Sequence, residues 1–513
     1  MRRFFIVPAV VTLAFGLLLT SAFGQANDGP PPAGPYQVPV PDFQALPNPA
    51  PSSGDQPPPA AYQPPVTVEA LAEMAMNSNY GMTEALAPPG DATARIAALE
   101  KEMEALKAAS KKLPNVTING IVQADAVMFS QDAASRATFD PIQGGPIQNG
   151  ADFRRVRLSA KGAVAENMNY FVQMDFGFFG RPTFTDVWME WTNLPVFGTV
   201  RVGQWKQPFS LEVVSSFRYT TFMERSSLFQ PFTPFRHIGI GFYNNSEDLN
   251  WTWAASLFRT GQDQFGGSLS TDGGNGVAGR LTHLLWYDEP ADGRYYCHLG
   301  GSYYYNSPPH DIVRFRSIPE IFVGEFAPGA VGTSGQAVPG AFNGTPFFVD
   351  TLPLMAQNVN TFGVENLTVH GAFSFQAEAM AAIVDRTAGG TATLSGAYMQ
   401  AGYFLTGEHR PYDRKAGAID RVKPFEDFFW VNTQDGGTCT GLGAWEIAAR
   451  WSYIDLTDGT VNGGDMSNLT AGVNWYCNPY CKVVFNYIHS WLDSRTGIQS
   501  ETSAYGLRAQ VDF

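Results

Sequence analysis

The chain has 513 residues, of which 16% are charged, 13% aromatic and 44% hydrophobic, and its 52 glycines and length are too much for one small domain. Its 33 Lys and Arg against 47 Asp and Glu leave a formal charge of −14, which excludes a non-specific nucleic-acid binder. The charged share lies below the roughly 25% usual for soluble domains, so something other than water covers part of the surface.

Taken in chain order, Arg2 and Arg3 precede an apolar stretch from Phe4 to Leu19 and a small-residue cleavage site at Ala22-Phe23-Gly24. Together they predict a secretory signal peptide over residues 1–24, the alternative being an N-terminal anchor helix. No later apolar run is long enough for a helical membrane span, so membrane residence would have to be by strands. Residues 25–91 form a linker. Within it, residues 27–67 hold 14 of the 36 prolines, and proline removes a backbone donor and fixes φ, which gives an extended periplasmic spacer. A short helix is expected near Val68 to Met76. Over 92–113, Ile96, Leu99, Met103, Leu106, Ser110 and Leu113 step by three and four, the seam of a short coiled coil. So few heptads are stable only on association. The alternative is a single amphipathic helix lying on or plugging its own barrel.

Residues 114–513 alternate with period two. Ile118, Gly120, Val122, Ala124 and Met128 face one way, and Thr117, Asn119, Gln123 and Asp125 the other. The end is cleaner: Tyr505, Leu507, Ala509, Val511 and Phe513 oppose Gly506, Arg508, Gln510 and Asp512. Arg154, Val156, Leu158 and Ala160 likewise alternate with Arg155, Arg157, Ser159 and Lys161. Repeated dyad segments separated by turns such as Asn193-Leu194-Pro195 predict an all-β fold, a transmembrane antiparallel β-barrel of about 16 strands. A soluble sandwich or propeller would show similar alternation, but an aromatic residue at the very end of the last strand favours the barrel.

The stretch Val202-Gly203-Gln204-Trp205-Lys206-Gln207-Pro208-Phe209-Ser210-Leu211-Glu212, with Met223-Glu224-Arg225-Ser226, resembles the first half of the phosphate-selective porin O and P family. Gly407-Glu408-His409-Arg410, Gly443-Ala444-Trp445-Glu446 and Ala471-Gly472-Val473-Asn474-Trp475-Tyr476 resemble its second half. The resemblance implies an outer-membrane barrel of about 16 strands, often a homotrimer, that passes small anions. The linker and coiled coil are not part of that pattern.

Over 114–513, 26 basic residues face 37 acidic ones, so any anion preference must be local. Arg201, Lys206, Arg218, Arg225 and Arg236 cluster against Glu212 and Glu224, and Arg155, Arg157 and Lys161 share the polar face of a strand. These eight are the candidate pore-lining, anion-binding residues, and the stretch from Gln207 to His237, which holds Arg218, Arg225 and Arg236, is expected to fold inward as a constriction. The alternative is that they brace the wall by pairing with carboxylates such as Asp175 and Glu190. The resemblance associates phosphate with lysine-rich pores, whereas this barrel has five lysines: Lys161, Lys206, Lys415, Lys423 and Lys482.

The spacing Gly274-x-Gly276-x-x-Gly279 lacks strand-to-helix context and reads as a flexible loop. No metal, cofactor or catalytic cluster can be assembled from the scattered histidines. Cys477 and Cys481 flank a tight turn as a candidate disulfide; Cys297 and Cys439 have no evident partner. The expected function is therefore a non-enzymatic outer-membrane porin, with membrane lipid and small anionic solutes as partners. The alternatives are a barrel-anchored tether whose N-terminal region binds cell wall or a periplasmic layer, and a barrel hydrolase.

Overall fold

The computed structural model describes residues 113–143, 145–177, 182–261, 270–324, 344–429, 431–432 and 437–513. The expected signal peptide, linker and, but for Leu113, the coiled coil lie outside the described residues.

Sixteen long strands make up the wall. They are β1 (Thr117–Gln131), β2 (Gly150–Ala165), β3 (Met168–Asp175), β4 (Thr183–Leu194), β5 (Gly198–Lys206), β6 (Arg236–Asn245), β7 (Trp251–Arg259) and β8 (Asn275–Tyr287), followed by β9 (Tyr295–Ser307), β10 (Leu354–His370), β11 (Phe373–Arg386), β12 (Thr391–Phe404), β13 (Ala444–Asp458), β14 (Val461–Asn478), β15 (Cys481–Asp493) and β16 (Gln499–Asp512). Each pairs antiparallel with its sequence neighbours, and β16 returns to β1, where Arg508 stands opposite Asp125. Closure leaves no sheet edge, which hydrocarbon requires because it offers unpaired backbone groups no partner. Among the described residues no helix is long and apolar enough to cross a membrane.

The period-two pattern resolves into two faces. Ile118, Val122, Val511 and Phe513 are exposed on the outer wall, whereas Gln123, Asp125, Arg508, Gln510 and Asp512 are buried inside. Exposed Trp251, Trp286, Tyr295, Phe373 and Tyr403 gather towards the rim that carries both strand termini, and Phe153, Phe184 and Trp491 towards the opposite rim. Two aromatic belts around an apolar band are what an amphipathic ring seeks at a lipid boundary.

Two sequence expectations change here. Arg154 belongs to the lipid side by simple alternation, but a bulge between the Gln123–Arg155 and Ala124–Phe153 pairs turns it inward, where it binds Glu224. Of the glycines of the 274–279 spacing, Gly274 lies in the loop as expected, but Gly276 and Gly279 lie within β8.

Most turns at the terminal rim are short, and the long connections fold into the barrel. Residues 132–149 include helix α1 (Ala133–Gln143), whose Phe139 stacks on Phe348 at 4.6 Å. Residues 207–235 carry the single turns α2 (Leu211–Val214) and α3 (Phe229–Phe232). Residues 308–324 bring Glu320 and Ile321 to full burial. From the terminal rim, residues 405–422 also run inward, carrying buried Arg410, Tyr412 and Ile419.

Candidate functional site: the constriction

The loop over 207–235 is tied to itself before it is tied to the wall. Ser210, in the left-handed region at φ 67°, caps α2 by accepting the Val213 N–H at 3.3 Å. The Glu212 carboxylate accepts the Ser226 hydroxyl at 2.8 Å and its N–H at 3.0 Å, and Arg225 donates to the Glu212 carbonyl at 2.8 Å. The two halves of the Pro208–Glu212 and Met223–Ser226 pattern are thereby stapled together.

Six strands then grip it. On β5, Lys206 gives its ammonium to the Val213, Val214 and Ser215 carbonyls at 2.6, 3.0 and 2.8 Å. On β11, Glu378 accepts the Leu211 and Glu212 N–H groups at 3.1 and 2.9 Å. Lys482 and Asn486 of β15 hold the Thr220 carbonyl and Met223 N–H at 3.0 and 2.8 Å. On β13, Arg450 reaches the Glu224 carbonyl at 3.2 Å and pairs with Glu320, which accepts the Ser227 N–H at 2.8 Å. From β2, Arg154 engages Glu224 in a fork at 3.0 and 3.1 Å and Arg155 adds a contact at 3.3 Å. From β16, Arg508 reaches Glu224 at 2.7 Å and Asp125 at 2.6 Å. Such charge-assisted, two-pronged contacts fix position as well as add energy.

Burial disfavours charge on both loop carboxylates, with different outcomes. Around Glu224 it is outweighed by Arg154, Arg155 and Arg508, which hold the carboxyl well below the usual range. At Glu212, burial exceeds the opposing pull of Arg450 and Arg225 and pushes the carboxyl up.

The eight candidate cations occupy several settings. Arg155, besides Glu224, donates to Gln123 at 2.8 Å. Arg157 pairs with Asp175 at 2.7 Å, Arg201 with Glu190 at 2.6 Å and Arg236 with Asp186 at 2.7 Å. Two of these are the wall-bracing pairs weighed in the sequence. Arg218 stands 3.6 Å from Asp512. Lys206 and Arg225 spend their donors on carbonyl oxygens, with no carboxylate at ion-pair distance among the described residues. Lys161 shares the strand face of Ser159 but is exposed near the terminal rim. Arg154, Arg155, Arg157, Lys206, Arg225, Arg236 and Arg508 form one belt in which each lies within electrostatic reach of another.

Sequence reading missed the rest of the girdle. Arg280, Glu365 and His298 form a buried cluster with Tyr412 of the 405–443 loop, with His298 2.7 Å from the Tyr412 hydroxyl and 2.9 Å from Glu365. Arg410 of that loop pairs with Glu446, and both are fully buried. The loop rejoins the wall at Gly443, φ 66°, where a Cβ would meet the Tyr476 carbonyl at 2.3 Å, a position only glycine fits.

Two cavities flank the constriction loop. One of about 350 Å³ opens towards the terminal rim, where Arg201, Lys206, Arg280 and Lys415 line it with Asp186, Glu190 and Asp413. The other, about 150 Å³, lies towards the opposite rim and is bounded by Pro231, Thr233, Thr260 and Asn306. The described residues hold no His, Cys, Asp and Glu group able to bind a metal ion.

Comparison with known proteins bears on this arrangement. The family model for phosphate-selective porin O and P matches residues 134–513. Porin O of Pseudomonas aeruginosa is 23% identical over 396 residues, 72% of this chain and 83% of that protein. An uncharacterized protein of Caulobacter vibrioides is 24% identical over 382 residues, 71% of this chain and 68% of its own. Among solved structures, an anion-selective porin from Comamonas acidovorans aligns with 78% of this chain and 99% of its own, at 12% identity and a TM-score of 0.46. The match to the family model spans the described barrel from α1 to the final strand, so the chain belongs to the phosphate-selective porin O and P family and is a porin of the outer membrane.

Proposed function

We propose that the barrel passes small anionic hydrophilic solutes, phosphate among them, by passive diffusion past the constriction loop. The observation that carries this reading is the continuous belt of basic side chains, and within it Arg225, whose charge has no bound carboxylate among the described residues. A narrow, low-dielectric passage concentrates the field of such charges, so a local excess sets selectivity although the barrel as a whole is acidic. Arginine keeps its charge and presents a planar fork to an oxyanion. The scarcity of lysine favours small anions as a class over a site dedicated to phosphate. The same reading takes the assembly to be a homotrimer, as the family resemblance implies, and chemical cross-linking in native membranes checks it.

Single-channel reversal potential in a potassium chloride gradient, repeated with phosphate, tests the selectivity. The native channel is expected to prefer anions, and Arg225→Gln, which removes one unpaired charge, to lower the anion-to-cation permeability ratio about twofold or more. A cation-preferring native channel would reject the assignment, and an unchanged ratio in R225Q would remove Arg225 from it.

A further inference from the structure

The turn between β14 and β15 reads Cys477-Asn478-Pro479-Tyr480-Cys481 and acts as a clasp. Asn478 stands opposite Cys481 and Tyr476 opposite Lys482, so Cys477 is the extra residue of a bulge and neighbours Cys481 across the two-residue turn. Three carbonyls of this segment are taken by other parts of the barrel. Cys477 accepts the Phe428 N–H at 2.6 Å, Pro479 accepts the Arg421 guanidinium, and Tyr480 accepts the Asp512 N–H at 2.8 Å. Phe428 and Arg421 both belong to the 405–443 loop, and Arg421 also pairs with Asp512 and lies over the Tyr480 ring at 4.6 Å. The shape of one turn therefore decides how firmly the in-folded loop is held at its exit.

We propose that Cys477 and Cys481 form an intramolecular disulfide that locks this turn and, through it, the end of the 405–443 loop. Both residues are free thiols in this structure, each half-buried, while Cys297 is buried on β9 and Cys439 is exposed on the loop. An outer-membrane protein matures in an oxidising compartment. The thiolate of one cysteine attacks a protein or glutathione disulfide, breaking its S–S bond and releasing one thiolate. The second cysteine then displaces the other half from the mixed disulfide. The oxidant leaves as two thiols carrying the two protons that the cysteines lose, so the new S–S bond balances the one broken.

The experiment uses full-length protein extracted from outer membranes in detergent under acid quench, alkylated before or after reduction and digested with trypsin. Residues 451–482 leave as one peptide with both cysteines. That peptide is expected to be two hydrogens lighter and closed to alkylation until reduced. Reduction is expected to speed amide hydrogen exchange over 421–428 about tenfold. Full alkylation before reduction, persisting after incubation with oxidised glutathione, would overturn the disulfide, as would a crosslink to Cys439. Unchanged exchange on reduction would overturn the lock. Cys439→Ser repeats the measurement with the exposed competitor removed.

Discussion

Glu212 and Glu224 share one loop and stand among arginines, yet proton exchange with solvent affects them in opposite ways. Glu224 is held well below the ordinary carboxylate range. Its contribution to loop anchoring is therefore complete above its unfolded value near about pH 4.3 and is lost only as pH falls from there through the depressed folded value. Glu212 is pushed up, with Arg450, Arg225 and Glu378 around it, so it takes a proton earlier on acidification. That proton removes a negative charge beside the passage and leaves the belt of cations in place. Anion preference, read from reversal potentials, should rise as pH is lowered from neutrality. Glu212→Gln should show the acid-side preference already at neutral pH and a flattened dependence; a preference that falls with acid would contradict this assignment. None of this was legible from the sequence, because the surroundings of Glu212 come from residues as distant along the chain as Glu378 and Arg450.

At the scale of elements, the wall and the loops differ in how much the sequence discloses. In β1 and β16 the alternation of Val122 and Val511 with Gln123 and Gln510 is a direct record of lipid on one side and polar interior on the other. Where a bulge changes parity, as at Arg154, that record misleads. The inward course of 207–235 was foreseeable from its length between two good strands. The inward course of 405–422 was not, because it rests on distant partners: Tyr412 with His298, Ile419 with the Ser215 hydroxyl at 3.0 Å, and Arg280 with the Gly417 carbonyl at 2.7 Å. This second loop narrows the passage from the terminal rim, its Asp413 and Lys415 lining the larger cavity. Replacing residues 411–421 with a short glycine-serine link should raise single-channel conductance while leaving the heat-modifiable folded band of the barrel on a gel. Unchanged conductance would show that the loop stands clear of the path.

For the molecule as a whole, the seam between β1 and β16 is both a wall joint and a loop anchor. Arg508 forms a two-pronged contact with Asp125 at 2.7 and 2.6 Å, reaches Glu224, and is itself only 2% exposed. Arg508→Met would strand the buried Asp125 carboxylate, while Glu224 keeps Arg154 and Arg155, and loss of one partner of a buried pair costs about 3–5 kcal/mol. Urea unfolding in detergent should register that loss, and adding Asp125→Asn should recover part of it; a variant as stable as the native barrel would show the pair to be dispensable. The same residue joins closure to filtering. Met223 and Glu224 rest on Arg508, the Arg218 carbonyl on Gln510, and the Thr220 carbonyl on Lys482, all supplied by the final hairpin. During biogenesis, a nascent chain lacking that hairpin would have no continuous wall and a constriction loop held by four of its six strands. Closing the wall and completing the anchorage of the constriction loop thus fall to one step, and an unfinished barrel cannot persist as an intact but unguarded leak.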